Sequence, residues 1–544
     1  MEPSIPAEPG KKRAPRRRRG KRSRNRRLAL AATLTIPLLP GCMTLSWKAK
    51  GRDEAVVVAS ADAAEEVSGF GGASIPAKSG GEYAVDLSSA LRLAEAENPQ
   101  IAVARQRVGE AVAVLQGARA LLLPSLNMGA NYHDHLGNLQ RSSGRILNLR
   151  ERSLYFGGGV DVVAAGTVEI PAVSIVSPLT DAIFEPLAAR QEVDRARFDA
   201  TATANSVLMD VSQLYFELTA TEGFLDVRRE MAEKGGEVAR LTRAYADAGE
   251  GREADAMRAA TELRLIGVEV RRAEEEAAVA GVRLARRLHL DQAVQLRPIA
   301  PAFETTTIVD PAVPLPELLR TGLTYRPEVR ARAAAVDAAA YRVDQEKYRP
   351  ALPTILVGFS GGAFGGGSNL FGTQVANVGG RTDLDVGLFW TLSNLGGGNL
   401  ARIRRRSAEL GQAEGERQRA IAEVRAEVAE AYAAVNASRR RLDVAAIELE
   451  SARAGFREDV DRIRSTVGRP LEVVNSLQLL NDARIARIRA VADYNQAEFR
   501  LFVSLGSPPP LIANPAEPAT APPIASPPLP PLARLIGPGL WHGH

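Results

Sequence analysis

Few residues in this chain could do chemistry, and none stands in the company that chemistry requires. His133-Asp134-His135 has the spacing of a metal-ligating pair. It offers no third ligand nearby and reads as a solvated loop, as do His542 and His544 at the end of a proline-rich tail. Gly365-Gly366-Gly367-Ser368 lacks the Lys-Ser/Thr that a phosphate loop needs, and reads as a loop beside a strand. Glu274-Glu275-Glu276 reads as a solvated helix face, and Tyr215 and Tyr432 as helix-packing residues. No Ser/His/Asp set and no cofactor motif occurs. The expectation is a protein that is not an enzyme and holds no metal or cofactor.

Cys42 is the only cysteine of 544 residues, so no disulfide can form within the chain. Lys11 to Arg27 holds twelve basic residues, and Leu28 to Leu39 is apolar but too short to cross a bilayer. A basic region, a short apolar region and small residues make a secretory signal. Its boundary, Leu39-Pro40-Gly41-Cys42, resembles the lipobox of bacterial lipoproteins. That resemblance implies a covalent lipid (palmitate) on Cys42; the alternative is a chance cysteine after an ordinary signal. Met43 stands where lipoproteins kept at the inner membrane usually carry Asp, which implies the outer membrane of a Gram-negative bacterium. Removal of residues 1–41 leaves 57 of the 69 basic and 62 of the 64 acidic residues. The mature chain is then mildly acidic and has no electrostatic footprint for nucleic acid.

These features sit on a duplicated framework. Val207, Val211, Leu214, Leu218, Thr221 and Leu225 step by four and three; Val424, Val428, Ala431, Val435, Ser438 and Leu442 do the same 217 residues later. Tyr215 falls on Tyr432, Gly251 on Gly468 and Leu288 on Leu505. Asn98-Pro99-Gln100-Ile101 matches Arg326-Pro327-Glu328-Val329. Repeats this long mark one structural unit used twice. The division is 1–41 signal peptide, 42–80 tether, 81–305 first repeat, 306–506 second repeat and 507–544 proline-rich disordered tail. Each repeat opens with a short helix and a second helix ended by proline. Period-two segments follow, about 124–180 and 352–391, which predict one strand pair per repeat. Met128, Ala130 and Tyr132 alternate, as do Val160, Val162 and Ala164, then Val173, Ile175 and Ser177, then Ile355, Val357 and Phe359, then Leu384, Val386, Leu388 and Trp390. The segments between, His133–Arg152 and Gly361–Gly380, are rich in Gly, Ser, Asn and Arg and read as loops. Leu187–Arg297 and Asn399–Arg469 contain no proline and predict long helices in a strict seven-residue pattern, each reversing at glycine.

The order of these parts, with Asn98-Pro99, Leu123-Pro124-Ser125-Leu126 and Gly468-Arg469-Pro470-Leu471-Glu472-Val473-Val474, resembles the TolC family of outer-membrane efflux proteins, lipoprotein branch, over about Asp86 to Gly506. The resemblance implies a mainly α fold with a small membrane β-barrel contribution. Three chains would supply a twelve-stranded barrel and a helical tube through the periplasm. It implies a homotrimeric passive conduit in a tripartite system, spanning the lipid bilayer, with a periplasmic adaptor and an inner-membrane transporter, most simply a proton-driven pump, as partners. It places adaptor-contacting tips at Gly249, Gly251, Gly468 and Arg469, and a pore constriction at Leu471 and Asn475. Relatives often carry Asp where this chain has Asn475, so a ring of amides would replace one of carboxylates. Asn475 also reads as an ordinary coiled-coil surface residue. The competing reading of the whole chain is a lipid-anchored periplasmic coiled-coil scaffold without channel activity.

Overall fold

A computed structural model of the chain describes residues 82–161, 169–291, 293–370, 372–464 and 470–506. The signal, tether and tail assigned from sequence, and with them Cys42, lie outside the described residues. The first half runs β1 (Glu82–Val85), α1 (Leu87–Glu97), α2 (Pro99–Arg119), β2 (Ser125–Leu126), β3 (Met128–Gln140), β4 (Ile146–Asp161), β5 (Glu169–Pro171), β6 (Val173–Pro178), α3 (Leu179–Asp247), α4 (Glu253–Arg287) and β7 (Gln295–Pro298). The second half runs α5 (Leu315–Tyr325), α6 (Pro327–Tyr348), β8 (Thr354–Ser368), β9 (Gly372–Phe389), α7 (Gly397–Arg464) and α8 (Pro470–Ser504).

Local chemistry sets the boundaries. Asp86 caps α1 in a capping box with Ser89. The buried Asn98 ends α1, and its side-chain oxygen accepts from the Gln100 N–H at 2.9 Å to start α2, with Pro99 in the first turn. The matching Arg326 makes no cap; its guanidinium instead donates to Glu328 at 2.9 Å and Glu427 at 2.6 Å. Helix α3 starts at Leu179, ahead of the proline-free stretch that marks it in sequence, and absorbs Pro186. With 69 and 68 residues at ~1.5 Å each, α3 and α7 are about 100 Å long.

Helices of that length need neighbours throughout, and α3 has them. It packs on α2 and α6 along its upper half and on α4 and α8 along its lower half; α7 packs on α6 above and α8 below. The long helices stand side by side, with α2 and α4 on one flank and α7 on the other, and the short helices α1 and α5 pack on α3 and α7. The heptad positions face its seams: Val207, Val211 and Leu218 are buried in one cluster, and their counterparts Val424, Val428 and Val435 in another.

The strand segments form one antiparallel sheet. β6 pairs with Thr354–Phe359 of β8, and β4 with Gly361–Ser368. β4 and β6 are therefore two parts of one long strand. β2 and β3 likewise line its other side, and β9 lines the far side of β8. The result is four strands in the order β2/β3, β4/β6, β8, β9. The strands run through both segments read as loops, so His133-Asp134-His135 lies in β3 and Gly365–Ser368 in β8. Glycine hid them, because it weakens the alternating signal while serving close approach. A Cβ on Gly157 would lie 2.5 Å from the Gly362 Cα.

We predict that Val435→Pro, placed in the buried seam of α7, costs about 3 kcal/mol or more, because it removes a helix hydrogen bond and clashes with the preceding turn. Helix content and thermal unfolding in detergent measure it; unchanged stability would mean α7 is not continuous there.

Candidate channel wall and helical tip

The sheet has two chemically different faces. Directly opposed residues point to the same side. One face carries the rows Val173–Phe359–Leu384, Ile175–Val357–Val386 and Ser177–Ile355–Leu388, then Ala130–Phe156–Ala363 and Tyr132–Leu154–Gly365. The other carries Ser174–Gly358–Asp385, Ser360–Asp383, Gly362–Arg381, His133–Ser153–Gly366 and His135–Glu151–Ser368, with two apolar rows among them, Val176–Leu356–Gly387 and Asn131–Tyr155–Phe364, while one charged row, Asp134–Arg152–Gly367, interrupts the first face. Leu384, Val386, Leu388, Phe156 and Tyr132 are exposed although they form the apolar face. An apolar face outward and a polar face inward is the pattern of a membrane barrel wall. No described helix is long and apolar enough to cross a membrane.

Between sheet and helices lies a charged joint that no short-range pattern announces. Arg349, just past α6, donates to Asp181 at 2.7 Å and to Glu346 at 3.0 Å. Gln345 donates to Asp181 at 2.9 Å, and Arg402 of α7 reaches Glu346 at 3.1 Å. Phe184 stacks on Tyr348 with ring centroids 5.7 Å apart. Burial pulls the Arg349 guanidinium down, but Asp181 and Glu346 outweigh it and hold it above its ordinary value. Glu346 is only 5% exposed. The joint fixes the directions in which α3, α6 and α7 leave the strands.

At the opposite end α3 reverses into α4. Gly249 has φ of +80°, the left-handed conformation that closes a helix end at low cost. The N–H groups of Glu250 and Gly251 both donate to the Tyr245 carbonyl, at 3.1 and 2.9 Å. Gly251 is required for space, since its Cβ would lie 3.0 Å from the Ala246 nitrogen. Arg243 closes the turn by donating to Asp247 at 3.1 Å and Glu253 at 2.6 Å. Gly468 and Arg469, expected at the second reversal, lie outside the described residues, and the Leu471 side chain is not described. Asn475 is exposed on α8 and lines a groove of about 400 Å³ with Asp255, Arg258 and Glu262 of α4 and Gln478.

The two hairpins are tied together just behind the tip. Val238 and Tyr245 of α3, Phe456, Val460 and Ile463 of α7 and Val473 of α8 surround a small apolar cavity of about 210 Å³, and the Tyr245 hydroxyl donates to the Ile463 carbonyl at 3.1 Å. Glu230 accepts from Lys234 at 2.7 Å and from Arg484 of α8. Burial raises the Glu230 carboxyl, but these two cations outweigh it and hold it below its ordinary value.

Both flanks of the wall expose apolar side chains. Leu265, Val268, Val279 and Val282 protrude from α4. On the other flank Val444 and Ile447 of α7 and Leu479 of α8 line an open groove of about 680 Å³ with Ala452, Ala483 and Ala486. Neither this pairing of flanks nor the charged joint was read from the sequence. The flanks could have been found as apolar positions off the main heptad seam.

Residues 318–507 match the family model described as outer membrane efflux protein. The fold is similar to that of solved outer-membrane channels. The outer-membrane channel OprN matches with 19% identity and a TM-score of 0.62 over 77% of this chain and 89% of that one. The outer membrane protein VceC of Vibrio cholerae matches with 16% identity and a TM-score of 0.57 over 77% and 96%. The CmeC outer membrane channel of Campylobacter jejuni matches with 14% identity and a TM-score of 0.61 over 77% and 85%. No curated protein matches the sequence. The family resemblance read from the repeated motifs, and the mainly helical fold with a strand-built section, are thereby upheld.

Arg349→Met should cost about 3 kcal/mol, since it leaves the buried Glu346 with Arg402 alone and the half-buried Asp181 without its cation. Denaturant unfolding of the detergent-solubilised protein measures it; an unchanged midpoint would show that the joint bears no load.

Proposed function

We propose that this chain is the outer-membrane channel of a tripartite export system, acting as a passive homotrimeric conduit. The observation that carries the reading is the four-stranded sheet with one apolar face and two outer edges, on β3 and β9, against which no further strand pairs among the described residues. Backbone groups cannot stay unpaired in hydrocarbon, so a spanning sheet must close. Three copies would bring twelve strands, within the range of membrane barrels. β3 and β9 run in opposite directions, so β9 of one copy and β3 of the next would continue the antiparallel pattern.

The flanks support the same assembly. Placing the α4 stripe of one copy against the α7–α8 groove of the next would remove both exposed apolar surfaces from water, worth roughly 25 cal/mol per Å² buried. The long helices would then enclose a tube through the periplasm. The reading gives the turns at Gly249, Gly251, Gly468 and Arg469 to a periplasmic adaptor. It gives the constriction to Leu471 and Asn475, and a covalent lipid to Cys42. Energy would come from an inner-membrane transporter, most simply a proton-driven pump. A lipid-anchored scaffold would need the helices but gives no reason for a sheet with an apolar outer face.

Native mass spectrometry of the mature protein should give three chains per particle, and planar bilayers should show discrete conductance. Ile447→Arg with Leu479→Arg, which puts charge into the exposed groove, should leave folded single chains without conductance. A wild-type particle that stays a single chain in mild detergent would overturn the channel reading.

A further inference from the structure

We propose that Arg150 and Arg152 bind the headgroup phosphate of an anionic lipid, on the outward face of the sheet and in the leaflet farther from the helices. The inference rests on the reading of the sheet as a membrane wall. Its starting point is the charged row Asp134–Arg152–Gly367, which stands on the face that is otherwise apolar. A charge on the lipid side of a barrel is costly at the bilayer midplane and nearly free at its surface. The height of the row therefore marks where the hydrocarbon ends.

The strands measure that height. Ile355 lies in the apolar row nearest the helices and Gly365 in the row of Tyr132 and Leu154, ten residues farther along β8. That is about 33 Å along the strand at ~3.3 Å per residue, or about 25 Å of height at a barrel tilt of about 40°. An apolar band of ~25 Å between two aromatic girdles is what a barrel presents to lipid. Trp390 at one limit and Tyr132 at the other, both 58% exposed, supply the aromatics. The charged row comes next, about 5 Å higher, and Arg150, opposite Leu136, stands about 5 Å above that. Headgroups add roughly 5–8 Å to each side of the hydrocarbon. Arg152 thus falls within the headgroup layer, and Arg150 at its rim with a side chain long enough to reach back.

The pair is built to meet a phosphate. Arg150 donates to Asp134 through Nε at 3.2 Å and through a terminal nitrogen at 3.0 Å, and Arg152 donates to it through Nε at 3.3 Å. One carboxylate against two cations leaves a net positive charge and orients two planar forks side by side. Gly365 and Gly367, the neighbours of Leu154 and Arg152 on β8, put no side chain on this face. They leave room for an acyl chain directly beneath the guanidiniums. A free phosphate ion would use the arginines but gain nothing from the apolar rows below them, so the occupant is a lipid.

The delipidated full chain in mild detergent is titrated with dioleoylphosphatidylglycerol, and bound lipids are counted by native mass spectrometry. One phosphatidylglycerol per chain is expected, held about fivefold or more tighter than dioleoylphosphatidylcholine, whose headgroup carries its own cation. Arg150→Gln and Arg152→Gln should each weaken it about fivefold, the contribution of one arginine beside an anionic headgroup. Arg141→Gln with Arg145→Gln, at the hairpin turn, should leave it unchanged. Millimolar inorganic phosphate should not displace the lipid. Equal binding of the two lipids, displacement by inorganic phosphate, or a loss in the Arg150 and Arg152 variants no greater than in the turn variant would each overturn the proposal. Lipid preference and phosphate competition are read on the wild-type chain, so they stand even where a variant misfolds. Conductance and chain count of the same preparation keep the two readings apart. A conducting trimer without lipid preference sinks the lipid site alone, whereas single, non-conducting chains sink the membrane wall and the site with it.

Discussion

The free backbone edges of β3 and β9 are the constraint on which the rest of the molecule turns. Among the described residues, a sheet of four strands with one apolar face finds neither a cover for that face nor a further strand for its outer edges. In water such edges invite uncontrolled pairing; in a membrane they are tolerable only when closed. Everything else in the wall works toward a geometry in which closure by further copies is possible. The strands must arrive at a common tilt, and the helices must leave the sheet along fixed directions. That is the task of the joint built from Asp181, Glu346, Arg349 and Arg402, which draws three helices together where the strands end. A buried ion network is a weak source of net stability but discriminates sharply between arrangements. At this joint the discrimination matters more than the stability.

Helices of this length raise a second difficulty, since no one compact core can cover them from end to end. The chain distributes its apolar contacts along seams instead. The cluster around Val207, Val211 and Tyr215 serves one half, the cluster around Val424, Val428 and Ala431 the other, and a smaller one around Val238, Ile463 and Val473 secures the end nearest the tip. Each seam is narrow, so the heptad must be strict. A wandering pattern would rotate the apolar stripe away from its neighbour within a few turns.

How much of this was readable follows from what each element leaves in the local pattern. The helices were legible because burial recurs every 3.5 residues over ten turns, and because Asn98-Pro99 and Gly249 mark their ends by backbone chemistry. The strands were legible only where the apolar face is continuous, as at Leu384–Leu388. Farther along, the outward residues give way to Ala363, Gly365 and Asp134, the inward ones are Gly, Ser and His, and the signal resembles a loop. The pairing of Arg349 with Asp181 joins residues 168 apart and has no sequence signature. That β4 and β6 continue one strand was not read from the sequence either, since the continuity lies in their shared partner β8 and not in any local pattern.

The two halves solve one shared problem by different means, and the difference shows what duplication does and does not preserve. In each half a connecting segment must be held against the returning helix. In the first half that helix presents Ala277, Ala278 and Gly281, and the Leu296 carbonyl of β7 lies 3.9 Å from where a Gly281 Cβ would stand. Small side chains let the segment lie close, and β7 is then secured by pairing with β1. At the matching positions of the second half stand Tyr494, Asn495 and Glu498. Glu498 is fully buried, accepts from the N–H groups of Ile308 and Val309 at 3.2 Å each, and is met by the Tyr494 hydroxyl at 2.8 Å. Asn495 accepts from the Thr306 N–H and donates to the Glu304 carbonyl, at 2.8 and 2.9 Å. This segment forms no strand pair, so its backbone groups needed side-chain partners once they were buried. The heptad is common to both halves because it answers to helix geometry, which they share. The clamp is particular to one half because it answers to the backbone it holds, which differs.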